Sequence, residues 1–218
     1  MTLPGNVCRG AAGRFIVLEG IDGSGTTTQG HTLVALLSQA GIPARFTCEP
    51  STGRLGVLLR QVLTGTGDDV SRDWDCMALL FAADRLDHVA REVRPALAQG
   101  ITVICDRYDL SSLAYQSATS AAGASAVPWI RSLNERALRP DLTLVLDVDA
   151  DVAESRRAER GAAKELFERR DLQRRLADIY ASAEQLVPGD HLVHVNANAT
   201  VDGVRDAVLA AIALRFGS

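Results

Sequence analysis

Gly20-Ile21-Asp22-Gly23-Ser24-Gly25-Thr26-Thr27 has the spacing of a phosphate-binding P-loop, G-x-x-x-x-G-K-[ST], with Thr26 where the lysine belongs. Glycines let such a backbone curl closely round phosphate oxygens. The loop amides and the N-terminus of the helix that follows point positive charge at them. Thr27 supplies the hydroxyl expected to reach a magnesium ion, so the cradle and the metal ligand are present and the point charge is missing. Two further segments could do chemistry on a phosphate or a base. Asp106-Arg107-Tyr108 sets a carboxylate beside a guanidinium, whose planar fork can donate two parallel hydrogen bonds to a phosphate; a buried structural ion pair is the plainer alternative. Phe81 and Arg85 stand four apart on one helix face. There a ring could stack on a planar base while the guanidinium reads its edge, although an isolated phenylalanine more often belongs to the core. Phosphoryl transfer asks for these parts: two phosphates in line, a magnesium ion and fixed positive charge.

The elements that must position them alternate along the chain. Short apolar runs at 14–18, 44–48, 101–105, 142–146 and 191–195 read as strands. Helical patterns are expected at 27–40, 53–63, 75–99, 127–138, 151–160, 169–186 and 201–216. Gly41 and Gly100 fit helix C-caps, Pro188-Gly189 breaks the chain before the last strand, and 117–126 is small and polar enough to read as a mobile loop. This alternation predicts an α/β three-layer sandwich with a five-stranded parallel sheet. In such sheets ligands gather beyond the carboxyl ends of the strands. Acidic residues fall there three times, at Glu49, Asp106 and Asp147, although acidic residues also simply end strands.

Composition narrows the field. The 218 residues are 47% hydrophobic, enough to bury a substantial core as a single domain over 14–218 behind a loose N-terminus, 1–13. A net charge of -4 argues against nonspecific nucleic-acid binding. Cys8, Cys48, Cys76 and Cys105 lack metal-site spacing and fit a reduced, cytoplasmic setting. Neither a signal peptide nor a membrane-spanning run is expected. Lys164 is the single lysine among 23 basic residues.

Several segments, in order, closely resemble thymidylate kinases: residues 15–29 (FIVLEGIDGSGTTTQ), Glu49-Pro50, 80–85 (LFAADR), 106–116 (DRYDLSSLAYQ) and 138–148 (LRPDLTLVLDV). The resemblance implies a P-loop nucleoside monophosphate kinase that transfers the γ-phosphoryl group of ATP to dTMP with Mg2+, as a homodimer. On the matching positions, Gly20, Ile21, Asp22, Gly23, Ser24, Gly25, Thr26, Thr27 and Thr28 would bind the ATP phosphates, joined by Arg156 and Arg160. Asp22 would also face the acceptor's sugar and phosphate. Phe81 would stack on thymine with Arg85 at its edge, while Arg107 and, as second candidate, Arg60 would hold the acceptor phosphate. Glu49 belongs to the same acceptor site. Ser111 and Ser112 would line the base pocket, Tyr115 would crowd the 2′ carbon and favour a deoxyribose, and Gln116 would finish that wall. Asp106 would act near the metal with Thr27.

The departures from the pattern are as informative. Besides Thr26, Cys48 stands where many members carry arginine, and Ala177 stands where an arginine often precedes Tyr180. The lid, expected around 156–170, only loosely follows its usual form after Gly161. Lid cations, Lys164 foremost, are expected to supply the charge absent at Thr26 when the lid closes; a solvated surface lysine is the alternative. Two other readings stand beside an active thymidylate kinase: a nucleotide-binding protein impaired in catalysis, and a kinase for another or modified pyrimidine monophosphate.

Overall fold

A computed structural model describes residues 13–65, 73–160 and 170–217, the Arg160 side chain excepted. Five strands, β1 (Phe15–Gly20), β2 (Ala44–Cys48), β3 (Thr102–Asp106), β4 (Leu142–Asp147) and β5 (Leu192–Asn196), form one sheet in the order β2-β3-β1-β4-β5. Every pairing is parallel. The strands fall within two residues of the positions read from the sequence. β1 shows why the sheet is covered on both faces. Ile16 and Leu18 enter one core with Leu33, Leu37, Val208 and Ile212. Their neighbours Phe15 and Val17 enter a second with Val89, Val93 and Ala96. Alternation of side chains along a strand divides them so.

The helices are α1 (Thr26–Gln39), α2 (Arg54–Thr64), α3 (Trp74–His88), α4 (Arg94–Ala98), α5 (Asp109–Thr119), α6 (Val127–Leu133), α7 (Ala150–Arg160), α8 (Arg170–Tyr180), α9 (Ala183–Leu186) and α10 (Val201–Phe216). Four differences from the sequence reading have local causes. The helix expected over 75–99 is interrupted by a π turn, Val89–Val93. Pro95 follows it, and with no N–H and a ring that crowds the preceding turn it cannot continue a regular ladder. The segment 117–126 is not a loop. Its first residues complete α5, where the hydroxyls of Ser117 and Thr119 donate back to the carbonyls of Leu113 and Tyr115, and Gly123–Ala126 forms a 3-10 turn. α6 stops at Leu133, since Asn134 leaves the helix and turns its side chain to Arg85. The helix expected over 169–186 divides at Ala181-Ser182 into α8 and α9.

α5 has no counterpart among the helices expected from the sequence, because its residues stand out for their side chains more than for their period. Among the described residues no helix is long and apolar enough to cross a membrane.

Candidate active site

The P-loop joins β1 to α1. Gly25 caps α1 at a φ of 99°, a conformation that favours glycine, and Gly23 is held at 95° where α7 crosses. A Cβ on Gly23 would lie 2.4 Å from the Ala153 carbonyl oxygen. Thr26 opens the helix and is buried. The Thr27 hydroxyl donates to Asp106 Oδ2, while Asp106 Oδ1 is buried with no hydrogen-bond partner among the described residues. A hydroxyl against a half-satisfied carboxylate is a donor set that fits a magnesium ion whose other ligands are phosphate oxygens and water. Among the described residues there is no group of three or more His, Cys, Asp or Glu that would hold a metal by itself.

Beside the loop lies a cavity of about 790 Å³, within the range of small-ligand sites. It gathers Asp22, Glu49, Phe81, Arg85, Arg107, Ser111, Ser112, Tyr115 and Gln116, all read from the sequence as acceptor residues. Arg60 does not line it; its guanidinium donates to the Pro50 and Ser51 carbonyls instead. α3 presents Met77, Phe81 and Arg85, each four residues on from the last, along one wall. α5 presents Ser111, Ser112, Tyr115 and Gln116 along another.

Arg85 is 1% exposed. Its Nε lies 2.9 Å from Glu49 Oε2, its Nη2 donates to the Tyr108 carbonyl at 3.0 Å and to Ser112 Oγ at 3.1 Å, and its Nη1 donates to Asn134 Oδ1. His88 holds the other Glu49 oxygen at 3.1 Å. The guanidinium therefore faces the cavity from a fully built socket. Gln116 differs: it is 3% exposed and neither its amide nitrogen nor its oxygen has a partner among the described residues. A buried amide so left costs free energy unless something that enters the cavity meets it.

Arg107 links cavity and loop. Its backbone φ of 71°, in the left-handed region, turns the chain at the end of β3 so that the side chain doubles back. Nη2 lies 2.6 Å from Asp22 Oδ1, Nη1 donates to the Gly20 carbonyl, and the guanidinium stands 5.2 Å from the centre of the Tyr115 ring. Burial pushes the Tyr115 phenol well above its ordinary value, so it faces the cavity protonated.

Several residues escaped the sequence reading. Glu19 is fully buried and accepts from Tyr108 N, Ser111 N, Ser111 Oγ and Tyr180 Oη. It fixes the start of α5 and hence the serines of the cavity wall. Burial raises its pKa against the pull of Arg107 and these hydrogen bonds. Gln173 of α8 is also fully buried: its Oε1 accepts from Asp22 N at 3.1 Å and its Nε2 donates to Asp22 Oδ2 at 2.8 Å. A signal for Gln173 existed, since it shares the apolar face of α8 with Leu176 and Tyr180. Arg157 of α7 donates to the Asp22 main-chain carbonyl. Arg156 turns away from the loop and donates to the carbonyls of Ala197 and Ala199, both at 2.9 Å. Lys164 and the Arg160 side chain lie outside the described residues.

The chain is similar to known proteins along most of its length. A family model described as thymidylate kinase matches residues 18–208. Among similar proteins, a probable thymidylate kinase of Pyrococcus horikoshii is 37% identical over 92% of this chain and 96% of its own. One from Pyrobaculum aerophilum is 41% identical over 76% and 80%. A thymidylate kinase of Pelotomaculum thermopropionicum is 34% identical over 90% and 96%.

Proposed function

The chain belongs to the thymidylate kinase family, and from that premise we propose that it transfers the γ-phosphoryl group of ATP to dTMP, yielding dTDP and ADP. The observation that carries this reading is the position of Arg107, which touches the P-loop at Gly20 and Asp22 and lines the cavity. One guanidinium thereby borders both the donor and the acceptor phosphates, as an in-line transfer between them requires. A phosphate oxygen of dTMP attacks the γ-phosphorus, and the bond to the oxygen bridging the β- and γ-phosphates breaks as ADP leaves. The P-loop amides hold the donor, Phe81 stacks on the base, Arg85 and Gln116 meet its edges, and Tyr115 stands against the sugar. Thr27 and Asp106 would hold the magnesium ion, which supplies charge neutralisation at the donor phosphates.

Measured ADP release with dTMP, dUMP, dCMP and UMP, each with and without magnesium, tests this reading. Turnover with dTMP that depends on magnesium is expected; turnover with none of the four would sink it. Preference for another of these acceptors would instead favour the related pyrimidine kinase. The protein is further proposed to act in the cytoplasm as a homodimer, with Val57, Leu79 and Leu86 exposed on α2 and α3 as a candidate contact face. Sedimentation at a single-chain mass would count against the dimer.

A further inference from the structure

The loop lacks its lysine, and the fold brings a different cation to it. α7 passes so close that only glycine fits at position 23, against the Ala153 carbonyl. Arg157 stands one turn beyond Ala153 on the same helix face, and from there Nη1 reaches the Asp22 carbonyl. Four neighbouring arginines are committed elsewhere. Arg107 is paired with the Asp22 carboxylate, Arg156 is fixed on the carbonyls of the β5–α10 connection, and Arg170 and Arg174 are paired with Asp151. Among the described residues Arg157 makes no ion pair, and the one hydrogen bond it makes goes to a neutral carbonyl. A guanidinium has five N–H donors in a fixed fork, so that single bond leaves most of them for an anion.

We propose that Arg157, carried by α7, supplies at the donor phosphates the positive charge that Thr26 does not. The inference rests on reading the loop as the ATP site. It gives the Asp22 carbonyl a definite role, which is to park the guanidinium at the outer edge of the cradle. There the N–H groups not bound to the carbonyl serve the phosphate oxygens that the loop amides hold. It also moves the compensating charge from Lys164, foremost of the cations expected from the sequence, to Arg157 on the helix that abuts the loop.

A relocated charge can be tested by moving it back. Arg157→Met keeps the apolar stem and removes the fork, and Arg157→Gln is read in parallel so that a folding fault peculiar to one side chain does not decide the result. Titration calorimetry with Mg-ATP is expected to show affinity weakened at least about tenfold, with kcat/KM for ATP down roughly 10²-fold. dTMP affinity and the melting temperature should hold. Adding Thr26→Lys to either variant should then recover most of the lost ATP affinity, which it would not do if Arg157 merely braced the loop. ATP affinity within about twofold of the unsubstituted protein in both single variants, or a loss that Thr26→Lys leaves uncorrected, overturns the proposal. A protein that binds ATP but never phosphorylates dTMP would sink the functional reading alone, since the ATP titrations would still decide the part played by Arg157.

Discussion

Arg107 Nη2 lies 2.6 Å from Asp22 Oδ1, so the guanidinium at the end of β3 and the carboxylate inside the P-loop are direct partners. Gln173 completes the arrangement from α8 by holding both the Asp22 carboxylate and its amide. Asp22 thus has little freedom, and Arg107 is aimed by what holds Asp22 in place. A partly buried guanidinium aimed in this way keeps further N–H groups for an incoming phosphate while its own charge stays balanced.

Arg107→Lys keeps the charge and loses the fork. It cannot serve Gly20, Asp22 and a phosphate together, so kcat/KM for dTMP is expected to fall by about 10²-fold or more. ATP affinity should change little. Titration calorimetry with each substrate distinguishes the two, since the loop amides carry most of the ATP binding, and ATP affinity lost as fully as dTMP affinity would contradict the placing of Arg107 on the acceptor phosphate.

Arg85→Met should unfold the protein more readily, by roughly 3–5 kcal/mol in urea titration, because it strips a buried carboxylate of its main partner. Arg91→Ala is the control: that arginine pairs with Asp87 from a side chain 77% exposed, and its loss should cost under about 0.5 kcal/mol. Similar costs for the two would show that burial is not what gives the Arg85–Glu49 pair its weight.

Gln116→Leu separates binding from stability. Removing an amide that has no partner among the described residues should leave the melting temperature unchanged or higher. Affinity for dTMP should drop about tenfold, the worth of roughly one hydrogen bond. Destabilisation with dTMP affinity intact would mean that Gln116 serves the fold and not the acceptor.

Glu19 carries a pH signature. Burial raises its pKa in the folded protein, so folding favours the protonated form. Its contribution is fully present below the range where an ordinary glutamate ionises and is lost as pH rises through the folded value. Unfolding free energy should therefore decline with rising pH across that window, and Glu19→Gln should flatten the decline. Denaturation curves collected at several pH values in both proteins give the slopes. Equal slopes would remove Glu19 as the source.

Much of the site was legible because it is carried by local motifs. The spacing from Gly20 to Thr27, the Phe81–Arg85 pair and the run from Arg107 to Gln116 each name residues that line the loop or the cavity. Arg60 was the exception among the acceptor residues. Its helix is where the periodicity puts it, but nothing in the sequence said that its guanidinium would be taken by two backbone carbonyls. Glu19 was missed for the opposite reason: one charged side chain at the end of an apolar run leaves no pattern to read, while Gln173 shares the apolar face of α8 but belongs to no motif that names its partner.

What the sequence by itself determined is the five strands, most of the helices and their order, because apolar runs and periods of three to four select strand or helix from neighbours along the chain. It also determined that the loop has no lysine. Which side chains meet was decided only by the tertiary structure. The order β2-β3-β1-β4-β5 sets the end of β3 beside the end of β1 and brings α7 and α8 over the loop. Asp22 finds Arg107 85 residues away, Arg157 135 away and Gln173 151 away. Contacts at such separations are fixed by packing and by the need of each buried charge for a partner, and neither can be counted along a single strand or helix.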